Sequence, residues 1–188
     1  MSDIPIRRLA IVNRGEAAMR CIRTVKALRA LESSDMQVIA LYTDVDREAP
    51  YVRHADHAVR LAQRATPVAS YLDHDLLIST LRKVGADAVW PGWGFVAESP
   101  EFVDRLQAAG IRFLGPTGDT MRRLGDKIAS KELAERLKIP VTAWSGGALR
   151  DAEQAQHWAE RIGLPLVLKA SAGGGGRGIR IVDRKSVV

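Results

Sequence analysis

Lys169-Ala170-Ser171-Ala172-Gly173-Gly174-Gly175-Gly176-Arg177-Gly178-Ile179-Arg180-Ile181-Val182 is the stretch on which the reading of this chain turns. A strand-like Leu166–Lys169 enters a glycine loop, and a second strand-like segment, Ile179–Val182, leaves it. Gly173, Gly175 and Gly178 satisfy G-x-G-x-x-G, but a dinucleotide fingerprint should open a helix. Here Ile-Arg-Ile-Val is short, β-branched and alternating, which reads as a strand. A Walker loop fails too, because Gly178 is followed by Ile179 rather than by Lys-Ser/Thr. What remains is a glycine hairpin with Lys169 at its entrance and Arg177 inside it, the form of a lid over a polyphosphate. Glycines let successive backbone N–H groups turn toward an anion, while Lys169 brings a point charge and Arg177 a planar fork of donors. The blander reading of the same residues is a glycine turn with solvated basic flanks.

Working outward, strands and helices alternate. Arg8–Val12 reads as a strand ending at Asn13-Arg14-Gly15. A helix from Glu16 to about Leu31 follows, with Ala18, Cys21, Ile22, Val25 and Leu28 on one face. Val38–Thr43 is a second strand, with Asp44 and Asp46 after its end, and His57–Leu61 a shorter third. A helix over Asp73–Val84 stops at Gly85, and Asp87–Trp90 is the next strand, turning at Pro91-Gly92-Trp93-Gly94-Phe95. Ser99-Pro100-Glu101 has the form of an N-cap with proline at the first helical position, and Ile111–Leu114 closes on Gly115-Pro116. This alternation predicts an α/β fold with a doubly wound parallel sheet, whose ligands meet the carboxyl ends of strands. Asn13–Gly15, Asp44–Asp46 and Pro91–Phe95 all fall at such ends. Beyond Thr117, helical segments span about Asp119–Lys138, and Trp144-Ser145-Gly146-Gly147 is a loop. Asp151 caps a helix that ends at Gly163, with Gln154 at the capping-box position.

Bulk properties narrow the function classes. Hydrophobic residues make up 46% of the chain, enough for a packed core, and no run of ~18 apolar residues suggests a membrane span. Cys21 is the only cysteine, which excludes an internal disulfide and fits a reducing cytoplasm; its place on an apolar helix face predicts burial. The net charge of +6 is not a nucleic-acid signal: residues 1–125 carry 17 basic and 15 acidic groups, residues 126–188 carry 11 and 7, and the signs are interspersed. His54, Asp56 and His57 lack further ligands at a recognisable metal spacing, so all four histidines are read as structural or surface residues.

Taken together, Asn13-Arg14-Gly15-Glu16, Pro91–Phe95, Gly125-Asp126-Lys127 and Lys169–Gly178 resemble the biotin carboxylases in order and approximate spacing, over essentially the whole chain. The resemblance implies a Rossmann-like pre-ATP-grasp domain over residues 1–115. The truncated beginning of an ATP-grasp domain would follow over 116–188, including a glycine-rich lid over 141–188. It implies ATP binding by Lys127 and Lys169, by the lid glycines Gly175 and Gly176, and by Ile179 beside the adenine. Gly173, Gly174, Arg177 and Gly178 complete the lid loop. Asn13–Glu16 and Pro91–Phe95 would line the cleft side of the N-terminal domain. Arg20 and Arg23 would lie in a helix that helps form a homodimer.

The implied reaction is carboxylation of biotin at its ureido nitrogen, with ATP and bicarbonate as substrates and Mg2+ as the metal. A biotin carboxyl carrier and a carboxyltransferase unit would be the partners in an acyl-CoA carboxylase. Two departures stand out. Trp93 replaces the tyrosine of many members, at the edge of the biotin pocket; with Trp144-Ser145-Gly146 and Leu149-Arg150 it is closer to long single-chain acetyl-CoA carboxylases. The family's metal-binding glutamates, acid/base groups and biotin-pocket arginine would all come after Val188. The chain is therefore expected to be an N-terminal fragment, inactive alone, with no catalytic residue and no metal ligand of its own. Residues from about 141 onward are expected to be poorly ordered or swapped between chains, because an incomplete sheet leaves an open edge. Two other readings stay open: a non-catalytic dimerisation or scaffold module, and another ATP-grasp ligase such as a carbamoyl-phosphate synthetase.

Overall fold

The structure, a computed structural model, describes residues 5–170 and 178–184. The chain divides into two compact units, residues 1–121 and 122–188.

In the first unit, elements alternate as β1 (Arg8–Ile11), α1 (Gly15–Glu32), β2 (Gln37–Tyr42), a 3-10 turn (Asp44–Asp46), α2 (Pro50–His54), β3 (His57–Arg60), α3 (Pro67–Leu72), α4 (His74–Lys83), β4 (Ala88–Trp90), α5 (Pro100–Ala108) and β5 (Arg112–Phe113). The five strands form one parallel sheet in the order β3-β2-β1-β4-β5. The chain thus builds outward from β1 in one direction, returns, and builds outward in the other.

Strand periodicity explains the two cores. Successive side chains point to opposite faces. Leu9 and Ile11 of β1 pack with Val38, Ala40 and the α1 residues Ala18, Cys21, Ile22 and Val25. Ala10 and Val12 face the other way, onto Ile39, Leu41, Leu77, Leu81, Phe102 and Leu106. Cys21 is buried in the first of these cores, and desolvation pushes its thiol up to about 12.

Short signals decide the helix starts. Ser99 Oγ accepts from Phe102 N at 3.3 Å with Pro100 at the first helical position, and Asp73 caps α4 by accepting from Leu76 N at 2.9 Å. Two helices that the periodicity did not predict, α2 and α3, flank β3; at 5 and 6 residues they are too short to show a 3.6-residue pattern.

The second unit is smaller in its core. α6 (Gly118–Gly125) crosses the division, and α7 (Lys127–Arg136), α8 (Ala152–Ile162), β6 (Leu166–Lys169) and β7 (Ile179–Val182) follow. The expected helical stretch over Asp119–Lys138 breaks at Asp126, whose carboxylate caps α7 by accepting from Ile128 N and Ala129 N at 2.9 and 2.7 Å. Asp151 caps α8 through Gln154 N at 2.8 Å, while Gln154 Oε1 accepts from Arg150 N rather than from the cap itself. β6 and β7 pair antiparallel.

Candidate functional site

The glycine stretch does emerge as a strand, as its alternation predicts. The register sets Leu166 opposite Val182, Val167 opposite Ile181, Leu168 opposite Arg180 and Lys169 opposite Ile179. One face of the hairpin therefore carries Val167, Ile181, Lys169 and Ile179. All four are exposed, Ile181 to 73%. Exposed branched aliphatics beside an exposed ammonium suit a ligand with a flat apolar part and an anionic part. At the loop end, Ala170 N donates to Gly178 O at 2.8 Å. Gly178 has φ +72°, and a Cβ there would stand 2.7 Å from Ala170 Cβ. Glycine is thus required twice over, by conformation and by close approach.

Of the residues singled out from sequence, Lys169, Gly178 and Ile179 are brought together on this hairpin. Lys127 stands on a separate element, half-buried in the first turn of α7. Gly173, Gly174, Gly175, Gly176 and Arg177 lie outside the described residues. Among the described residues no group of three or more His, Cys, Asp or Glu is placed to hold a metal. Asp56, which lies between His54 and His57 in sequence, accepts from the Arg29 guanidinium and from Val38 N, the latter at 2.7 Å; the hydrogen bond from Arg29 holds its carboxyl below the usual range.

The first unit gathers a second set of groups at the carboxyl ends of its strands. Asn13, buried after β1, donates through Nδ2 to Pro91 O at 2.7 Å and to Trp93 O at 2.8 Å. Its Oδ1 accepts from Arg14 N at 2.8 Å. Arg14 in turn forks onto Asp46, Nε at 2.6 Å and Nη2 at 2.5 Å, and this carboxylate raises the guanidinium further. Beneath them Tyr71 Oη donates to Leu41 O at 2.9 Å and lies 3.2 Å from Tyr51 Oη. Burial raises both phenols, Tyr71 to about 12. The three segments that sequence placed at strand ends are therefore tied to one another. The pairings themselves were not foreseen: Asn13 lies 78 and 80 residues from its acceptors. A parallel sheet with β1 between β2 and β4 would have been the one available signal.

Comparison with known proteins follows this division. Residues 5–121 match the family described as Biotin carboxylase, N-terminal domain, and residues 126–188 match Carbamoyl-phosphate synthase L chain, ATP binding domain. The chain is similar to the 2-oxoglutarate carboxylase small subunit of Hydrogenobacter thermophilus, at 39% identity over 93% of this chain and 35% of that one. It therefore spans about a third of that relative's length. Among solved structures, the biotin carboxylase of Campylobacter jejuni, in complex with a β,γ-ATP compound, superposes with a TM-score of 0.88 at 36% identity, over 97% of this chain and 39% of that chain. The biotin carboxylase domain dimer of the H. thermophilus 2-oxoglutarate carboxylase, with MgADP, ADP and bicarbonate, gives 0.86 at 38% identity, over 96% and 38%. Matched by the N-terminal domain model over residues 5–121, more than half of its length, this chain, whose parallel sheet carries Asn13–Glu16 and Pro91–Phe95 at its strand ends, belongs to the biotin carboxylase family.

Proposed function

We propose that this chain is the N-terminal part of a biotin carboxylase that uses ATP and bicarbonate to carboxylate biotin. The observation that carries the nucleotide half of this reading is the cross-strand pair Lys169–Ile179, which places a phosphate-seeking cation beside an apolar surface fit for a purine. Residues 1–115 serve as the pre-ATP-grasp domain, and 116–188 as the start of the ATP-grasp domain, with its lid over 141–188.

Lys169 and Lys127 neutralise phosphate oxygens, Ile179 packs on the base, and Gly173–Gly178 with Arg177 supplies the lid over the polyphosphate. In this class of chemistry bicarbonate, a poor electrophile, needs ATP to make it reactive. Mg2+ would be held by residues outside this chain, and the chemical step belongs to the full-length protein. The N-terminal family match separates this reading from a carbamoyl-phosphate synthetase.

Partners follow from the same reading: a biotin carboxyl carrier, a carboxyltransferase unit and a second copy of the chain, the last supported by the dimeric H. thermophilus neighbour. We place the parent among acyl-CoA carboxylases of the acetyl- or propionyl-CoA type, in fatty acid metabolism and in the cytoplasm. The mitochondrial propionyl-CoA carboxylase alpha chain of Mus musculus, 40% identical over 93% of this chain and 23% of that one, supports the acyl-CoA class and leaves the compartment to be tested. No described helix is long and apolar enough to cross a membrane.

Calorimetric titration of Mg-ATP into the full-length protein tests the proposal. Lys169→Gln should weaken nucleotide binding about tenfold or more and lower bicarbonate-dependent ATP turnover, since a charge-assisted phosphate contact is worth roughly 1.5–3 kcal/mol. Wild-type turnover in that variant would refute the role of Lys169.

A further inference from the structure

The Pro91–Phe95 loop is held in an unusual shape. Gly92 and Gly94 have φ +63° and +74°, and Phe95, with a bulky side chain, has φ +48°. A non-glycine residue in the left-handed region is strained, and such strain persists only where its surroundings over-determine it. Two supports do so here. Tyr71 packs on Phe95 with ring centroids 5.0 Å apart, and Asn13 ties down the carbonyls of Pro91 and Trp93. Gly92 must remain glycine for the same reason: a Cβ there would come within 2.8 Å of Asn13 Nδ2 and of the Trp90 ring.

What this shape accomplishes is the presentation of one side chain. Trp93 is 59% exposed, its indole braced by Trp90 in an edge-on contact at 6.5 Å and 79°. The loop follows β4 and Asn13 follows β1, and these adjacent strands lie where the sheet order β3-β2-β1-β4-β5 reverses direction. Ligands of open α/β sheets bind outside the carboxyl ends of strands at that reversal.

We infer that Asn13 is a positioning residue for the carboxyl acceptor, acting by holding the Pro91–Phe95 loop so that Trp93 offers its indole face to a flat, neutral heterocycle. This rests on the biotin carboxylase reading above, which makes that heterocycle the acceptor's ureido ring. Asn13 has no donor left for a ligand: Nδ2 spends both its hydrogens on the loop, and Oδ1 already accepts from Arg14 N. It acts through the loop or not at all. Only a short amide supplies two donors and an acceptor at this length. Aspartate supplies no donor, serine one, and glutamine is longer by a methylene.

The test is a double-mutant cycle in the full-length enzyme, using free biotin as acceptor. Trp93→Ala, at an exposed position, should raise the KM for biotin about tenfold, with the KM for ATP within about twofold of wild type. Asn13→Ala should raise the biotin KM similarly, and adding it to Trp93→Ala should change that KM by no more than about twofold, because the two act as a unit. Asn13→Asp, which keeps the shape and removes the donors, stands in if Asn13→Ala does not fold. An unchanged biotin KM in Trp93→Ala, or full multiplication of the two effects, overturns the inference. A wild-type enzyme that hydrolyses ATP with bicarbonate but never carboxylates biotin defeats the functional reading itself, and this inference with it.

Discussion

The two units of this chain spend their sequence differently. Residues 1–121 hold every described buried hydrophobic residue except Ala159 and Val182. Their sheet is covered on both faces, and the loops at its strand ends are fastened by buried polar bonds such as Asn13 to Pro91 and Trp93. Residues 122–188 contain a helix, α7, with no buried residue, and a two-stranded sheet with one open apolar face. A lone hairpin of this kind is marginal on its own. The difference teaches where shape is stored before a ligand arrives. The first unit is preorganised by its core, whereas the hairpin presents surface that a bound nucleotide would cover.

The largest expected effect lies in the first core. Phe102 is fully buried, so Phe102→Ala should destabilise the first unit by about 3–5 kcal/mol in chemical denaturation, while Ile181→Ala on the open hairpin face should stay within about 0.5 kcal/mol. Equal losses at the two positions would break the comparison. Gly178→Ala comes next. It forces a Cβ against Ala170 Cβ and a side chain into φ +72°, and should cost the hairpin about 1–2 kcal/mol. Hydrogen exchange should show faster exchange across β6 and β7 and unchanged protection in β1, β2 and β4. Slowed exchange in the hairpin would contradict the close approach.

The smallest effect is electrostatic. Arg29 and the N–H of Val38 depress the carboxyl of Asp56, and Arg60 with Arg47 brings that of Asp44 down to about 2. Unfolded aspartates titrate near ~3.9, so on acidification the unfolded state binds these protons first. The stabilisation is present above about pH 4 and is lost as pH falls toward the folded values. Denaturation midpoints measured from pH 6 to pH 3 should decline at the low end, and Asp56→Asn should flatten that decline. An undiminished slope in the variant would mean that other carboxylates carry it.

Much of this was legible locally. The short apolar runs Arg8–Val12 and Val38–Thr43 announced strands, Ser99-Pro100 and Asp151 announced helix starts, and β-branched Ile179-Arg-Ile-Val separated a hairpin from a dinucleotide fold. The helices α2 and α3 escaped because a segment of one or two turns carries too little periodicity to rise above its neighbours. At the candidate site, the strands on either side of the glycine loop were legible, but the register that sets Lys169 opposite Ile179 was not, because pairing depends on the turn between them.

The sequence by itself determined the α/β class, the hairpin and the residue types at its mouth, because backbone propensity, glycine conformation and helix capping act within a few residues. Only the tertiary structure decided that Asn13 holds the Trp93 loop, that Arg14 forks onto Asp46, and that Tyr71 reaches Leu41 O. Those partners stand 80, 32 and 30 residues apart. They meet because parallel pairing of β1 with β2 and β4 brings the ends of distant strands to one edge of the sheet. No local pattern encodes that meeting, since it exists only once the strands have paired.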